Sequence, residues 1–584
     1  MSVPDPVPVL TSELQSTLQD RIEKVLTRII NANLHTRYVQ ESPVFADFRD
    51  SIECLSNDLE ARDKVLLESF RTVVPLTTYA SHEPFISKFL EQPCMEDDVK
   101  NLFAPGLPNF IAPSSATSGK APKFFARYRH PPGVDRVDIP ISKDGGKTCA
   151  LFSLVSHRLL EIRGDADKET TIPITLVSSG GIRMRHDLGV DKDPLLMKLT
   201  MPANTSPLAV SFLRNYRSFL LMHALFALAD AKLEIMFMTL STIFVDLVRY
   251  MEEEWVTLVT CVETGELPDY EGVDEIRQYL EAGSSPKLPP NPARAAELRA
   301  IGVATDTPGR LVKVWPGFKT VVAVASGLFA SALPKMRHYL GPTVLIRSLG
   351  LIASEGYVGL VYNPSELNLF KAVSDDVVEY LDVSLDETAA SLVPAWELQL
   401  GHRYEIVLTT RDGLWRYRLD DIIEVAGFDP SDGTPILKYV ERRNVVARPG
   451  GIETAGKTLA DAIFGTQATL GKIVEFTVVN DERVMPPCLG YLVEIEGAIS
   501  PNAHTALQQL HDNLYHANDN LQHALDDGRV GPPTVRILNP GTFREFREWK
   551  IGLANSGVGQ MKVPVVLSDE TAVRWVLERV VQEI

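Results

Sequence analysis

The chain has 584 residues, 45% apolar and 23% charged, which is ordinary globular composition and enough for two or more hydrophobic cores. Its formal net charge of -18 opposes a nucleic-acid or anionic-membrane partner, since both reward a basic surface, so an anionic ligand has to be met by local cations or a metal ion. Five cysteines without CxxC spacing read as reduced thiols of a cytoplasmic protein, and the N-terminus lacks the charged and apolar regions of a secretory signal.

From a cap at Thr11 or Ser12, Leu14, Leu18, Ile22, Val25, Leu26 and Ile29 keep helical spacing and predict an amphipathic helix. The segment Phe70 to Tyr79, FRTVVPLTTY, mixes β-branched residues with Pro75 and reads as extended. Ser114 to Lys123, SSATSGKAPK, then places four hydroxyls, one glycine and two lysines within ten positions. Backbone N–H groups, hydroxyls and ammonium heads are the donors that a phosphate chain requires, although a plain Ser/Gly surface turn has the same composition. A P-loop is excluded, because Ser114 stands where its first glycine would fall, Ala121 where its metal-binding hydroxyl would fall, and Pro122 interrupts the following helix.

Thr170 to Val177 reads as a strand, and Ser178-Ser179-Gly180-Gly181 after it, with no GxGxxG completed, as a plain β-turn. Two apolar helices are predicted at about 212 to 229 and 232 to 254, where Asp230, Lys232, Glu234, Asp246 and Arg249 are too many charges for a membrane span. Gly283 to Pro292, GSSPKLPPNP, reads as an exposed linker, and Thr320 to Ala325 as a buried strand running into Ser326-Gly327. In Leu351 to Tyr357, LIASEGY, Glu355 is the kind of hard oxygen ligand that Mg2+ prefers. An alternating strand, Tyr404 to Thr410, crosses an Arg-Asp-Gly turn into Gly413 to Asp421, GLWRYRLDD, which also alternates. The last part predicts strands near 473 to 479, 490 to 496 and 534 to 538, and helices near 502 to 525 and 542 to 554, an α+β pattern.

Several of these stretches share wording with one family. SSATSGKAPK resembles SSGTSxGxxK, FRTVVPLTTYA resembles FxxxVPLxxYE, and VWPGFKTVVAVASG resembles VWPxLxxxxxxxTG. The Ser354-Glu355 pair resembles YxxSE, GLWRYRLDDIIEVAGF resembles GLYRYRxGDxxxVxGF, ERRNVV resembles an RxNVV hinge, and GTF and GQMKVP resemble GTF and QYKTPR. In this order the motifs are similar to those of the acyl-acid amido synthetases, the Gretchen Hagen family best known from plants, within the wider adenylate-forming enzymes. The chain departs at Leu351, Asp420 and Val565, where the family carries Tyr, Gly and Arg.

The resemblance implies an α/β fold, with a large multi-subdomain adenylation domain over residues 1–440 and a small mobile α+β domain over 441–584. It implies ATP and Mg2+ as cofactors. The phosphates would be held by Ser114, Ser115, Thr117, Ser118, Gly119 and Lys123; Ser354 would approach the α-phosphate, Tyr357 would lie near the adenine, Asp421 would accept from the ribose and Arg442 would stand at the hinge. Glu355 would bind Mg2+, Lys562 would act catalytically from the small domain, and Leu240, Ser241, Thr242 and Gly327 would line the acyl pocket. The expected partners are a small carboxylic acid and an amine, an amino acid above all, in a cytoplasmic monomer that binds neither nucleic acid nor membrane. A thiol acceptor on the same fold, and a nucleotide-binding homologue with impaired catalysis, are the alternatives.

Overall fold

The computed structural model describes residues 3–53, 58–114, 122–135, 145–164, 169–281, 287–303, 307–443, 445–483, 485–554 and 562–584. Contact density divides the chain into two units, the first reaching Ser114 and running on from Lys123 to Val440, the second beginning at Glu441.

The first unit holds three main sheets. Four parallel strands, Lys147–Ala150, Leu233–Leu240, Thr320–Val324 and Leu345–Arg347, lie side by side in that order. A mixed five-stranded sheet contains the antiparallel pair Phe110–Pro113 and Phe124–Arg127, in register from Phe110↔Arg127 to Pro113↔Phe124. An eight-stranded sheet takes the order Leu351–Ile352, Tyr357–Val361, Phe370–Ala372, Pro435–Arg442, Tyr417–Phe428, Arg403–Thr409, Val377–Asp382 and Leu392–Val393. The N-terminal helix Ser12–Asn33 forms as its spacing predicts, with the Thr11 hydroxyl accepting the Leu14 N–H at 3.3 Å. Its Leu18 joins the core of the eight-stranded sheet, while Leu26, Ile29 and Ile30 join a second core around Trp415.

The stretch 232 to 254, expected as one helix, is instead the strand Leu233–Leu240 followed by the helix Ser241–Glu253. A short apolar run is compatible with a buried strand or a buried helix, and here two parallel neighbours take up its backbone groups. Ser178 to Gly181, expected as a turn, lies inside the helix Val177–Arg185, whose Gly180 N–H is satisfied by the Leu176 carbonyl at 2.8 Å. Packing of that helix on the strand Phe110–Pro113 overrides the weak helix propensity of two glycines. Phe70 to Val73 complete the helix Leu59–Val73, since Phe70 sits one turn beyond Leu66 on the buried face, and only 74–78 before Tyr79 is extended. Pro75 ends the helix because it disfavours helical geometry at Val74.

Of the expected exposed linker, 283–286 lie outside the described residues; beyond them Leu288 is buried and Asn291 caps the helix Pro292–Ile301. Among the described residues no helix is long and apolar enough to cross a membrane.

The second unit carries a sheet in the order Lys472–Asp481, Cys488–Glu496, Thr534–Leu538 and Val580–Glu583, with helices packed on it around two apolar clusters. The strand near 534 to 538 and the helix Thr542–Ala554 fall where the sequence puts them. The helix expected over 502 to 525 is broken into Ala503–Ala517 and Asp519–Asp526 by Asn518, whose side chain accepts the Leu521 N–H at 3.1 Å and restarts the helix. In the GTF stretch the buried Glu494 carboxylate accepts the N–H groups of Gly541 at 2.8 Å and Phe543 at 3.0 Å, anchoring the start of that helix.

Candidate active site

The serine and threonine loop closes a β-hairpin. Its base is described at both ends: the Ser114 N–H donates to the Lys123 carbonyl at 2.7 Å, and the Lys123 N–H donates to the Ser114 hydroxyl at 2.9 Å. Ser115, Thr117, Ser118 and Gly119 lie outside the described residues. Next to the base, the Phe124 N–H donates to the Tyr79 hydroxyl at 3.1 Å, and the Lys123 ammonium stands 5.7 Å from the centre of the Tyr79 ring. Tyr79 thus holds the hairpin to the extended segment 74–78, and burial raises its phenol above the ordinary range.

The turn at Ser354 and Glu355 joins the strands Leu351–Ile352 and Tyr357–Val361 and is tied to both strands of the hairpin. The Ser354 hydroxyl donates to the Pro113 carbonyl at 3.1 Å, at the end of the first hairpin strand. From the second, Arg127 Nη1 donates to the Glu355 carbonyl at 2.8 Å. The Glu355 residue is 5% exposed, yet among the described residues its carboxylate accepts no hydrogen bond and meets no cation. Tyr357, at the start of its strand, leans on the core of the eight-stranded sheet, as Leu351 does.

Arg127 also reaches the Arg-Asp-Gly turn, its Nε lying 3.1 Å from Asp412 Oδ2. Asp412 Oδ1 accepts the Tyr128 N–H at 2.8 Å and lies 2.8 Å from His130 Nε2. Burial would push the Asp412 carboxyl up, but the Arg127 charge, the His130 ring and the backbone donor outweigh it and hold the group below its ordinary range. No sequence motif marks Arg127 or Asp412, and their meeting depends on two sheets coming together.

The GLWRYRLDD stretch enters from that turn. Gly413 has φ +93°, and a Cβ there would stand 2.1 Å from the Phe103 carbonyl oxygen, so only glycine fits. Trp415 is fully buried, with the rings of Phe45, Phe48 and Phe70 centred 5.4, 5.3 and 5.4 Å away. Arg416 pairs with Glu379 at 3.0 Å and donates to the Val74 carbonyl at 2.7 Å, while Arg418 makes a two-pronged pair with the buried Glu405, both contacts at 2.8 Å.

Between the pairs Glu405↔Ile422 and Val407↔Arg418, three residues, Leu419 to Asp421, pass opposite Ile406 alone. Asp420 in this bulge has φ +64°, the left-handed conformation that favours the glycine of the resembling family. Asp421 beside it is 8% exposed.

Leu240 and Ser241 sit at the carboxyl end of one parallel strand, and Gly327 follows the carboxyl end of the next, Thr320–Val324. The buried Ser241 hydroxyl donates to the Phe329 carbonyl at 2.8 Å and ties the two strand ends together; Thr242 is half-buried beside it. Gly327 has φ +57°, and a Cβ on it would lie 2.7 Å from the Tyr439 ring. The carboxyl ends of parallel strands are where open α/β sheets place ligands. Arg442 ends the strand Pro435–Arg442.

Lys562 belongs to the second unit. Immediately after it the chain runs along the strand Lys472–Asp481, with the Thr477 hydroxyl donating to the Pro564 carbonyl at 2.7 Å and the Val478 N–H to the Val565 carbonyl at 2.7 Å. Val565 is buried in the apolar core of that unit, and its aliphatic side chain suits the position it occupies.

The donor set fits a nucleotide-bound Mg2+, which takes one or two carboxylates together with phosphate oxygens and waters: Glu355 supplies a buried carboxylate that has no partner among the described residues. Among the described residues no group of three or more His, Cys, Asp or Glu could hold a metal unaided.

These features define an α/β protein in which the base of the Ser114–Lys123 link, the Ser-Glu turn and the Arg-Asp-Gly turn are tied together through Ser354 and Arg127. The chain belongs to the GH3 family: the GH3 family N-terminal domain matches residues 12–345, the central domain 374–442 and the C-terminal domain 457–571. It is 28% identical over 360 residues to indole-3-acetic acid-amido synthetase GH3.8 of Oryza sativa subsp. indica, covering 57% of this chain and 57% of that protein. To indole-3-acetic acid-amido synthetase GH3.10 of Arabidopsis thaliana it is 22% identical over 536 residues, 87% of each chain. The solved GH3.15 acyl acid amido synthetase shares the fold, with a TM-score of 0.75 at 19% identity, over 98% of this chain and 96% of that one.

Proposed function

We propose that the protein is an ATP-dependent acyl-acid amido synthetase that activates a small carboxylic acid as its adenylate and passes the acyl group to an amine, an amino acid above all. The observation that carries this reading is the buried Glu355 carboxylate, which has no partner among the described residues and is tied through Ser354 to the base of the Ser/Thr/Lys hairpin. The named activity of the rice and Arabidopsis relatives points the same way.

In the first step the acid's carboxylate oxygen attacks the α-phosphorus of ATP and pyrophosphate leaves. The amine nitrogen then attacks the acyl carbonyl, an amide forms, and AMP leaves with its bonding pair while the amine loses a proton. Ser114 and Lys123, with Ser115, Thr117, Ser118 and Gly119, would grip the phosphates by hydroxyl and ammonium donors; Asp421 would accept from the ribose hydroxyls, Tyr357 would flank the base, and Arg442 would serve the hinge. Mg2+, held through Glu355, would neutralise charge on the phosphate oxygens. Leu240, Ser241, Thr242 and Gly327 would wall the acyl group at the carboxyl edge of the parallel sheet.

In this proposal residues 1–440 perform adenylation, residues 441–584 move as a small domain, and the enzyme works as a cytoplasmic monomer. Lys562 would offset charge as pyrophosphate departs, an ammonium being a suitable point charge for phosphate oxygens. Replacing it by alanine is expected to lower kcat for pyrophosphate release far more than it raises the KM for ATP. Wild-type kcat in that variant would remove Lys562 from the mechanism.

The deciding experiment incubates purified protein with Mg·ATP and pooled aromatic and aliphatic acids, follows pyrophosphate, then offers amino acids and coenzyme A separately. Acid-dependent pyrophosphate with an amide product supports the reading. A thioester product would change the acceptor, and ATP binding without acid-dependent turnover would leave only a nucleotide-binding homologue.

A further inference from the structure

We propose that Arg127 and Asp412 form a positioning pair that keeps the Glu355 carboxylate in place and available for the nucleotide's divalent cation. This rests on the reading of Glu355 as the cation ligand.

The guanidinium of Arg127 reaches two turns. Its Nη1 holds the backbone carbonyl of Glu355 at 2.8 Å and lies 3.5 Å from that of Ser354, and its Nε meets Asp412 at 3.1 Å. Both side chains are buried, and neither group leaves water unless charge and hydrogen-bonding capacity are met. Asp412 is fixed in turn by the Tyr128 N–H and by His130, each at 2.8 Å. With Ser354 bonded to the Pro113 carbonyl, the Ser-Glu turn is held from both strands of the hairpin at once.

The pairing has an electrostatic consequence. A buried arginine beside a buried glutamate would ordinarily pair with its carboxylate and compete with any metal ion for it. Here Asp412 neutralises the guanidinium, and Arg127 addresses the Glu355 backbone oxygen, so the carboxylate itself has no cation among the described residues. Groups that orient a metal ligand in this way typically govern metal affinity by about 10- to 100-fold. Lysine at 127 would keep the charge but lose the planar fork that addresses two acceptors in different directions.

The test titrates Mn2+, followed by electron paramagnetic resonance, into the full-length protein saturated with α,β-methylene ATP, using wild type, Glu355→Gln, Arg127→Lys and Asp412→Asn. Thermal unfolding is recorded for each variant. We expect Glu355→Gln to lose the protein-bound Mn2+ signal, and Arg127→Lys and Asp412→Asn each to weaken Mn2+ binding about tenfold or more. In pyrophosphate exchange the half-saturating Mg2+ concentration should rise to match, with the KM for the acid unchanged.

A purely structural role would lower the folded fraction and leave the Mn2+ midpoint of the folded protein where it was. That outcome in Arg127→Lys, or in Asp412→Asn if it folds, overturns the proposal while Glu355→Gln still loses the metal. If Glu355→Gln binds Mn2+ as wild type does, the reading of Glu355 itself has failed.

Discussion

Two stretches of this chain share wording with the same family, and the fold uses them in opposite ways. In 413–418 nearly every large side chain is engaged in structure: Trp415 fills a core, Arg416 binds Glu379 and a helix-end carbonyl, and Arg418 neutralises the buried Glu405. In 353–356 hydrogen bonds among the described residues engage only the backbone and the Ser354 hydroxyl, and the Glu355 carboxylate is left over. Close agreement in wording therefore marks two different constraints. One is the packing of a strand that must lock several elements together, and the other, on the proposed reading of Glu355, is a single group kept available for chemistry.

The sharpest way to break this contrast is Glu355→Gln. An amide is a poorer ligand for Mg2+, and several kcal/mol of charge stabilisation would go with it, so acid-dependent pyrophosphate release should fall ~100-fold or more. The unfolding transition should not move, and a variant that loses activity only by losing structure would place Glu355 in the same class as Trp415.

The converse change is Trp415→Ala. Removing a fully buried indole packed among three phenylalanines should cost about 3–5 kcal/mol, read as an earlier denaturant transition of the first unit. Turnover per folded molecule, measured well below that transition, should stay near wild type.

The two aspartates at the end of the same stretch sharpen the comparison further. Asp421→Ala should weaken ATP binding by roughly ten- to hundredfold, the equivalent of about 1–3 kcal/mol for a lost buried acceptor, as calorimetric titration would show. The smallest effect is expected at Asp420, where the backbone is left-handed. Asp420→Gly should hold stability within about 1 kcal/mol of wild type and on the stabilising side, because relief of strain outweighs the added freedom of the unfolded chain. If Asp420→Gly rather than Asp421→Ala impairs ATP binding, the ribose role belongs to the neighbouring residue.

Much was legible in the residues themselves. The cap at Thr11 and the spacing from Leu14 onward determine the first helix locally, and the alternation of Tyr404 to Thr410 determines a strand, because side-chain period and capping act within a few residues. The order along the chain of the stretches that resemble the family, from 114–123 through Glu355 to Asp421, could also be read directly. Tertiary structure alone decided whether 233–240 is helix or strand, since its backbone groups are satisfied by partners at 147–150 and 320–324. It also gave Asp420 its left-handed backbone, through a bulge set by the partner strand. And it brought Arg127, Glu355 and Asp412 together from three segments far apart in sequence, where the burial of one guanidinium requires both a carboxylate and a carbonyl that no local pattern could supply.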